Sequence, residues 1–186
     1  MRTTNHDRVR NASRRGFTLI ETAVASVIVG TGVLGMVAAQ QAWHRQNAWA
    51  ERAAIGARLG NEIREMTFDL LRHDPVTAAG TWGPEANEVD LMDYDDLDDF
   101  DGVLGNGVVF SHATGNGPVN ALRRVIPGMD GWSQEVRVRN IDPANVNLDV
   151  ADGASDLMRV EVLVLWQGPL DPEPLPITRV DWIAPN

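Results

Sequence analysis

The sequence contains no cysteine and no lysine among its 186 residues, and it has a single tyrosine. The absence of cysteine excludes a disulfide scaffold, a thiolate zinc site and a cysteine nucleophile, although it is compatible with an oxidising compartment. All 16 basic residues are arginine, and 26 acidic residues bring the net charge to −10. Because a general nucleic-acid binder needs a basic face to meet phosphates, this acid excess predicts no nucleic-acid partner.

Charge and hydropathy are distributed unevenly along the chain. Residues 1–16 carry five arginines and one acid, Asp7, with almost no apolar side chains. The next segment, Phe17 to Ala39, is apolar except for a single charged residue, Glu21. A helix of this length spans about 34 Å, and the core of a bilayer is about 30 Å thick. The arginines before it predict a cytoplasmic N-terminus, with everything after residue 40 across the membrane.

Two export signals compete for this apolar segment. Val37-Ala38-Ala39 fits the small-residue cleavage site of a secretory signal. Ser13-Arg14-Arg15-Gly16-Phe17 fits a twin-arginine signal. Neither signal uses a carboxylate early in the apolar run, where a charge costs on the order of 2.5–3.5 kcal/mol at mid-helix and less near an interface. Glu21 therefore favours a third interpretation, in which the carboxylate has a function.

The stretch RRGFTLIE at residues 14–21 resembles, at every position, the processing motif of type IV pilins and type II secretion pseudopilins. The resemblance implies that a membrane-embedded prepilin peptidase/methyltransferase cleaves between Gly16 and Phe17 and that the new Phe17 amine is methylated. It also implies that Glu21, one helical turn after Phe17, pairs with the N-terminal amine of a neighbouring subunit during assembly. The implied partners are this peptidase, other pilin or pseudopilin subunits and membrane lipid.

An amphipathic pattern continues beyond the apolar run. Apolar residues recur at helical spacing at Ile55, Leu59, Ile63, Met66 and Leu70. We therefore expect one helix from about Thr18 to Arg72, ended by Asp74-Pro75, because the residue before a proline disfavours the helical region. Taken alone, residues 40–72 fit equally well the first core helix of a soluble domain.

Nine acidic residues lie between Glu85 and Asp101. We interpret this segment as a solvated acidic face, with the apolar residues between the acids available to anchor it. The alternative is a calcium site, because hard carboxylates clustered in a loop attract calcium. An EF-hand is excluded, since no glutamate closes a twelve-residue loop. The candidate calcium ligands are Asp95, Asp98, Asp99 and Asp101.

Three segments after Trp132 alternate apolar and polar residues and predict strands, with shorter candidates at Val108–Phe110 and Ala121–Ile126. The sequence thus predicts an α+β fold, in which a long N-terminal helix packs on a small antiparallel sheet. The resemblance implies the same pilin-like plan. The predicted division is a cleaved basic leader at 1–16, a transmembrane and assembly helix at 17–39, its amphipathic continuation at 40–73, a variable acidic loop region at 74–131 and the sheet at 132–186.

No catalytic constellation is recognisable, since the four histidines lack metal-ligand spacing and no phosphate-cradling loop is present. We expect a non-enzymatic structural protein that needs no cofactor unless calcium binds. The resemblance implies a minor pilin or pseudopilin, processed in the inner membrane and assembled into a type IV pilus or a type II secretion pseudopilus. The alternatives are a membrane-anchored binding module, calcium-binding or otherwise, that forms no filament, and an exported enzyme.

Overall fold

A computed structural model describes residues 16–73 and 82–184. The chain divides into two units, with the boundary between Asn47 and Ala48. The leader before Gly16 and the helix stop predicted at Asp74-Pro75 lie outside the described residues. The first element is the helix α1, Leu19–Thr67.

The first part of α1 is apolar, and its hydroxyl groups form hydrogen bonds within the helix. An apolar stretch of this helix near its N-terminus has none of its residues buried. The hydroxyls of Thr22, Ser26 and Thr31 each donate to a backbone carbonyl one turn earlier, at 2.8–3.0 Å. Bonds of this kind remove the need for water around a hydroxyl. Its length and composition therefore allow this helix to cross a membrane. A secretory signal near an N-terminus can have the same length and composition.

The second part of α1 packs against the sheet, as the apolar stripe predicts. Leu59 and Ile63 are fully buried, and Met66 is nearly so. Ile55 and Leu70 are partly buried against the same core. The predicted buried stripe is confirmed, because a period of 3.6 residues places these side chains on one face of the helix.

The helix ends at Thr67, five residues before the predicted end at Arg72. The Thr67 hydroxyl donates to the Ile63 carbonyl at 3.0 Å, so it bonds back into the last turn. Leu71 then forms a parallel bridge with Asp96, and the Leu71 carbonyl accepts from the Leu97 amide at 2.8 Å. This long-range pairing draws the backbone out of the helix, which no local signal in the sequence indicates.

Five antiparallel strands follow. They are β1 Val108–Ser111, β2 Trp132–Asp142, β3 Asn145–Asp149, β4 Met158–Trp166 and β5 Leu175–Ile183. The order across the sheet is β1-β2-β4-β5, and β3 pairs with the end of β2. The predicted α+β fold, a long N-terminal helix packed on an antiparallel sheet, is confirmed for the residues that the structure describes.

The core lies between α1 and the central strands. Val136 of β2 pairs with Val162 of β4, and Val138 pairs with Val160. All four are at most 1% exposed, and they belong to one apolar cluster with Leu59 of α1. Alternation along each strand puts every second side chain on this face, which is why the period-two pattern predicts it.

A buried amide side chain lies in the core strand β2. Gln134 of β2 is fully buried, and its Nε2 donates to the carbonyls of Leu59 at 2.8 Å and Val119 at 3.1 Å. The Val119 amide donates to Gln134 Oε1 at 2.8 Å. A buried amide is tolerated when its donors and acceptor are paired. Gln134 therefore ties α1 and the loop before β2 to the sheet.

Two strand expectations need correction. The segment Ala121–Ile126 is not a strand, because only Val125 forms an isolated bridge, with Val119, and Arg123 adopts a left-handed φ of 60°. Conversely, the polar stretch after β2 contains the strand β3, Asn145–Asp149. All five β3 residues are exposed, so no buried face imposes an alternating pattern on the sequence.

We expect Gly60→Ala to destabilise the fold, because α1 approaches β5 closely at this glycine. A Cβ at Gly60 would lie 2.6 Å from Val180 Cγ2. Overpacking of this kind costs about 1–3 kcal/mol, partly offset by about 1 kcal/mol of better helix propensity. Thermal unfolding of the full chain in detergent measures the change. Gly35→Ala, which adds a Cβ to the same helix in open space, is the control; an equal Tm for both variants would contradict this close packing.

Candidate functional site

The helix begins with a reciprocal pair of hydrogen bonds between Thr18 and Glu21. Residues 16–18 are not helical, and α1 starts at Leu19. The Thr18 amide and hydroxyl donate to Glu21 Oε2 at 2.9 and 3.0 Å, and the Glu21 amide donates to Thr18 Oγ1 at 3.3 Å. This arrangement is a capping box, which satisfies amides that the first helical turn leaves without partners. Glu21 therefore stabilises the first turn of the helix.

Thr18 received no role from the resemblance to the processing motif. The signal was present in the sequence as Thr-x-x-Glu before an apolar run, which is the capping-box pattern. It places Gly16 and Phe17 outside the helix, immediately before its first turn.

The segment around Gly16 and Phe17 is accessible. The Phe17 side chain is 83% exposed, and a Cβ at Gly16 would meet no atom of the described residues within 4 Å. Glu21 lies in a shallow, otherwise apolar depression of about 300 Å³ on one side of α1. The apolar residues that line it are Phe17, Ile20, Val24, Ala25 and Ile28. If another apolar surface covered this depression, the carboxylate would need a positively charged partner to offset the cost of its desolvation.

The acidic segment is buried from Asp96 to Asp101, so the predicted solvated face is wrong for that part. The buried acids are Glu88, Asp96, Asp98, Asp99 and Asp101, each at most 8% exposed. A short 3-10 helix, Asp98–Asp101, carries three of them. Its Phe100 and the preceding Leu97 insert into the core, and Tyr94 packs edge-on against Phe100 at 5.3 Å. The interleaved apolar residues thus anchor the segment, and the acids between them are carried inward.

One group of acids is compensated by a histidine and a backbone amide. His73 Nδ1 lies 3.1 and 3.0 Å from the two carboxylate oxygens of Asp98. The Gly83 amide donates to Asp98 Oδ2 at 3.0 Å. The His73 ring also stacks on Trp82, with centroids 5.8 Å apart. Asp96 completes a cluster with His73 and Asp98, whose potential ligand atoms lie within 4.8 Å of one another.

Asp101 is held separately. The Trp82 indole donates to Asp101 Oδ2 at 3.1 Å. Burial raises the pKa of the Asp101 carboxyl, while the Trp82 hydrogen bond acts in the opposite direction. The Asp101 carbonyl accepts from the Gly107 amide at 2.7 Å, which fixes the loop leading into β1.

A second cluster consists of Glu85, Glu88 and Asp99, again with potential ligand atoms within 4.8 Å of one another. The Glu85 amide donates to Glu88 Oε2 at 2.9 Å. Asp99 Oδ2 accepts from the amides of Asp95 and Asp96 at 2.9 and 3.2 Å. Asp99 Oδ1 is buried without a hydrogen-bond partner among the described residues. This cluster therefore contains three carboxyl groups and one unsatisfied acceptor.

Crowding raises the pKa values in the second cluster. The hydrogen bond to Glu88, followed by burial, raises the pKa of Glu85 to about 7. Burial, opposed by the backbone bond from Asp96 and reinforced by Glu88, raises the pKa of Asp99 to about 7. Burial is also the main cause of a raised pKa at Tyr94, which faces the same charges. Three ionised carboxylates are therefore unfavourable here without a proton or a cation between them.

The four predicted calcium ligands occupy different surroundings. Asp98 belongs to the His73 cluster, Asp99 belongs to the cluster with Glu85 and Glu88, and Asp101 bonds to Trp82. Asp95 is exposed and supplies its amide to Asp99. The calcium hypothesis stays a prediction, and the structure adds Glu85 and Glu88 to the residues that bear on it. The sequence contained these two acids, but no spacing rule connected them with Asp99.

In buffer without divalent cations, we expect the Tm of the full chain to fall as the pH rises from about 5 to 8. The pKa values of Glu85 and Asp99 are raised to about 7 in the fold, from ordinary values of 4.5 and 3.8. The folded chain therefore binds more protons than the unfolded chain in this window and loses stability as they leave. Glu88→Gln, whose amide can donate to a carboxylate, should flatten the profile. A wild-type Tm equal to that of the variant at both pH values would contradict the clustering.

The comparisons with known proteins add one match. Residues 11–37 match the model of the prokaryotic N-terminal methylation motif. No curated protein and no solved structure matches the chain. The matched residues include Gly16, Phe17, Thr18 and Glu21 and continue through most of the apolar part of α1.

Proposed function

We propose that the chain is a minor subunit of the type IV pilin and pseudopilin kind, because residues 11–37 match the N-terminal methylation motif and a long N-terminal helix packs on an antiparallel sheet. Its function is structural. A prepilin peptidase processes it in the inner membrane, and the mature chain joins a type IV pilus or a type II secretion pseudopilus. The observation that carries this proposal is the accessible Gly16–Phe17 segment directly before a helix that begins with Glu21 in its first turn.

Each motif residue receives a role in processing or assembly. Gly16 admits the peptidase, because it lacks a side chain beside the scissile bond. Hydrolysis of the Gly16–Phe17 peptide leaves a carboxylate on the leader and an amine on Phe17, and that amine is methylated. Glu21 then pairs with the Phe17 amine of a neighbouring subunit. The depression in which Glu21 lies supports this role, because its remaining lining is apolar.

Membrane anchoring follows from the apolar, fully exposed part of α1 together with the motif. The orientation belongs to the proposal. Five arginines precede the apolar run and keep the N-terminus cytoplasmic. The domain with the buried acids then lies outside the inner membrane. The exposed side chains of Trp43 and Trp49, at 65% and 51%, support an interface position for this stretch of α1.

The test is co-expression of the full chain with and without a prepilin peptidase, followed by shearing and membrane fractionation in cells that assemble pili or pseudopili. We expect a peptidase-dependent loss of the leader and a fraction of the mature chain in sheared filaments. A membrane-bound chain that stays unprocessed and never enters filaments would overturn the proposal. That result would favour the second candidate, a membrane-anchored binding module, for which the buried cluster of Glu85, Glu88 and Asp99 is the supporting observation.

A further inference from the structure

The second acidic cluster contains an atom for which the fold provides no partner. Asp99 is fully buried, and its Oδ1 has no hydrogen bond among the described residues. The other oxygen of the same carboxylate accepts from two backbone amides, so the group is held in one orientation. Buried carboxylate oxygens are normally paired, because the cost of removing them from water is otherwise uncompensated.

The neighbours of Asp99 cannot supply the missing bond as ionised groups. Glu85 and Glu88 are the other members of the cluster, and carboxylates only accept hydrogen bonds. Glu88 is itself 8% exposed, and Glu85 is partly exposed. The cluster thus consists of oxygen acceptors, and Glu85 is its most exposed member.

In the neighbouring cluster of His73, Asp96 and Asp98, the fold supplies partners for a buried carboxylate. There, the Asp98 carboxylate receives the Gly83 amide and faces the His73 ring at 3.0–3.1 Å. A histidine can carry the positive charge that such a group needs. The cluster of Glu85, Glu88 and Asp99 has no residue of this kind among its members. The two acidic groups therefore differ in chemistry although they lie on the same segment of chain.

We propose that Glu85, Glu88 and Asp99 bind a calcium ion, with Asp99 Oδ1 as the innermost ligand. Calcium takes six to eight oxygen ligands in flexible geometry, so water and backbone carbonyls complete a set begun by three carboxylates. An all-oxygen set disfavours zinc and copper, which prefer nitrogen and sulfur. Magnesium demands a near-ideal octahedron, which a loop of this kind supplies less readily.

The ion would fasten the acidic segment onto the domain. Glu85 and Glu88 lie at the start of this segment, and Asp99 lies in the 3-10 helix whose Phe100 enters the core. Arg123 already holds the intervening stretch by donating from its guanidinium to the carbonyls of Leu91 and Tyr94. Calcium would close the remaining side, between the first acids of the segment and the 3-10 helix. This proposal stands independently of filament assembly, so either can fail without the other.

The experiment is a thermal unfolding series on the full chain in detergent at pH 7.5, first stripped with a chelator and then titrated with calcium chloride. At calcium about 100-fold above its Kd, the wild-type Tm should rise by about 5–10 °C. Glu88→Gln and Glu85→Gln should each lose most of this rise. Glu173→Gln, which neutralises an exposed acid outside the segment, should keep it. Magnesium at the same concentration should produce a smaller rise.

Two results would overturn the site. The first is a wild-type Tm that calcium does not change, together with no heat of binding by isothermal titration. The second is a calcium-induced rise that persists unchanged in both Glu88→Gln and Glu85→Gln, since binding would then occur elsewhere. The Glu88→Gln chain is expected to fold, because its amide can donate to the carboxyl groups beside it, and its circular dichroism spectrum checks this directly.

Discussion

Gly16→Val is expected to leave the chain unprocessed while its folded domain stays intact. A Cβ at Gly16 meets nothing within 4 Å among the residues that the structure describes, so we expect the substitution to leave the fold of the free subunit unchanged. The side chain becomes an obstacle only when the segment enters an enzyme that must approach the scissile bond closely. A misplacement of about 1 Å costs about 100-fold in rate, so cleavage should fall at least that far.

The measurement is the fraction of chain that retains its leader, read by gel mobility and intact mass, after co-expression with a prepilin peptidase. Gly35→Val is the control, because Gly35 lies in the apolar part of α1, away from the scissile bond, and a Cβ there also meets no described atom within 4 Å. The control should be cleaved like the wild type. Normal cleavage of Gly16→Val would contradict the role of Gly16, and failure of both variants would point to a general effect on membrane insertion.

Glu21→Gln is expected to be cleaved normally but to enter filaments about 100-fold less than the wild type. Glutamine can still accept the hydrogen bonds of the capping box, so the start of α1 should be preserved. It cannot neutralise the amine of a neighbouring Phe17. Leaving one member of a buried ion pair without its partner costs about 3–5 kcal/mol, and 1.4 kcal/mol corresponds to a tenfold change.

Thr18→Val separates the two roles of Glu21. It removes the hydroxyl that bonds to Glu21 but keeps the carboxylate and its charge. Loss of such a cap costs about 1 kcal/mol, so incorporation should fall far less than with Glu21→Gln. The quantity to compare is the ratio of each variant in sheared filaments to its total in the membrane. If Thr18→Val failed to assemble while Glu21→Gln assembled normally, Glu21 would act as a helix cap and not as a pairing charge.

The parts of the fold that the sequence predicts are those with local or periodic signals. The buried face of α1 follows from the spacing of Leu59, Ile63 and Met66, and the central strands follow from alternation around Val136 and Val160. The helix end at Thr67 was not predictable, because Leu71 leaves the helix to pair with Asp96, a residue far along the chain.

The acidic segment shows why composition alone predicted the exposure of its side chains wrongly. Its charges predict exposure, yet Leu97 and Phe100 draw the adjacent acids into the domain. Burial becomes tolerable through partners that lie elsewhere in the sequence, such as His73 for Asp98 and Trp82 for Asp101. Such pairings depend on the tertiary fold. The candidate processing site, in contrast, lies within a few consecutive residues, and the motif gives it directly.

Processing between Gly16 and Phe17 is the step on which the proposed pilin-like role of this chain depends. The most direct test is N-terminal sequencing, with intact mass, of the protein isolated from the membranes of peptidase-containing cells. We expect a mature chain that begins at Phe17 and carries one methyl group on its amine. A chain that begins at Gln40 or Gln41, as after secretory cleavage, or one that retains Met1 in the presence of an active prepilin peptidase, would contradict it.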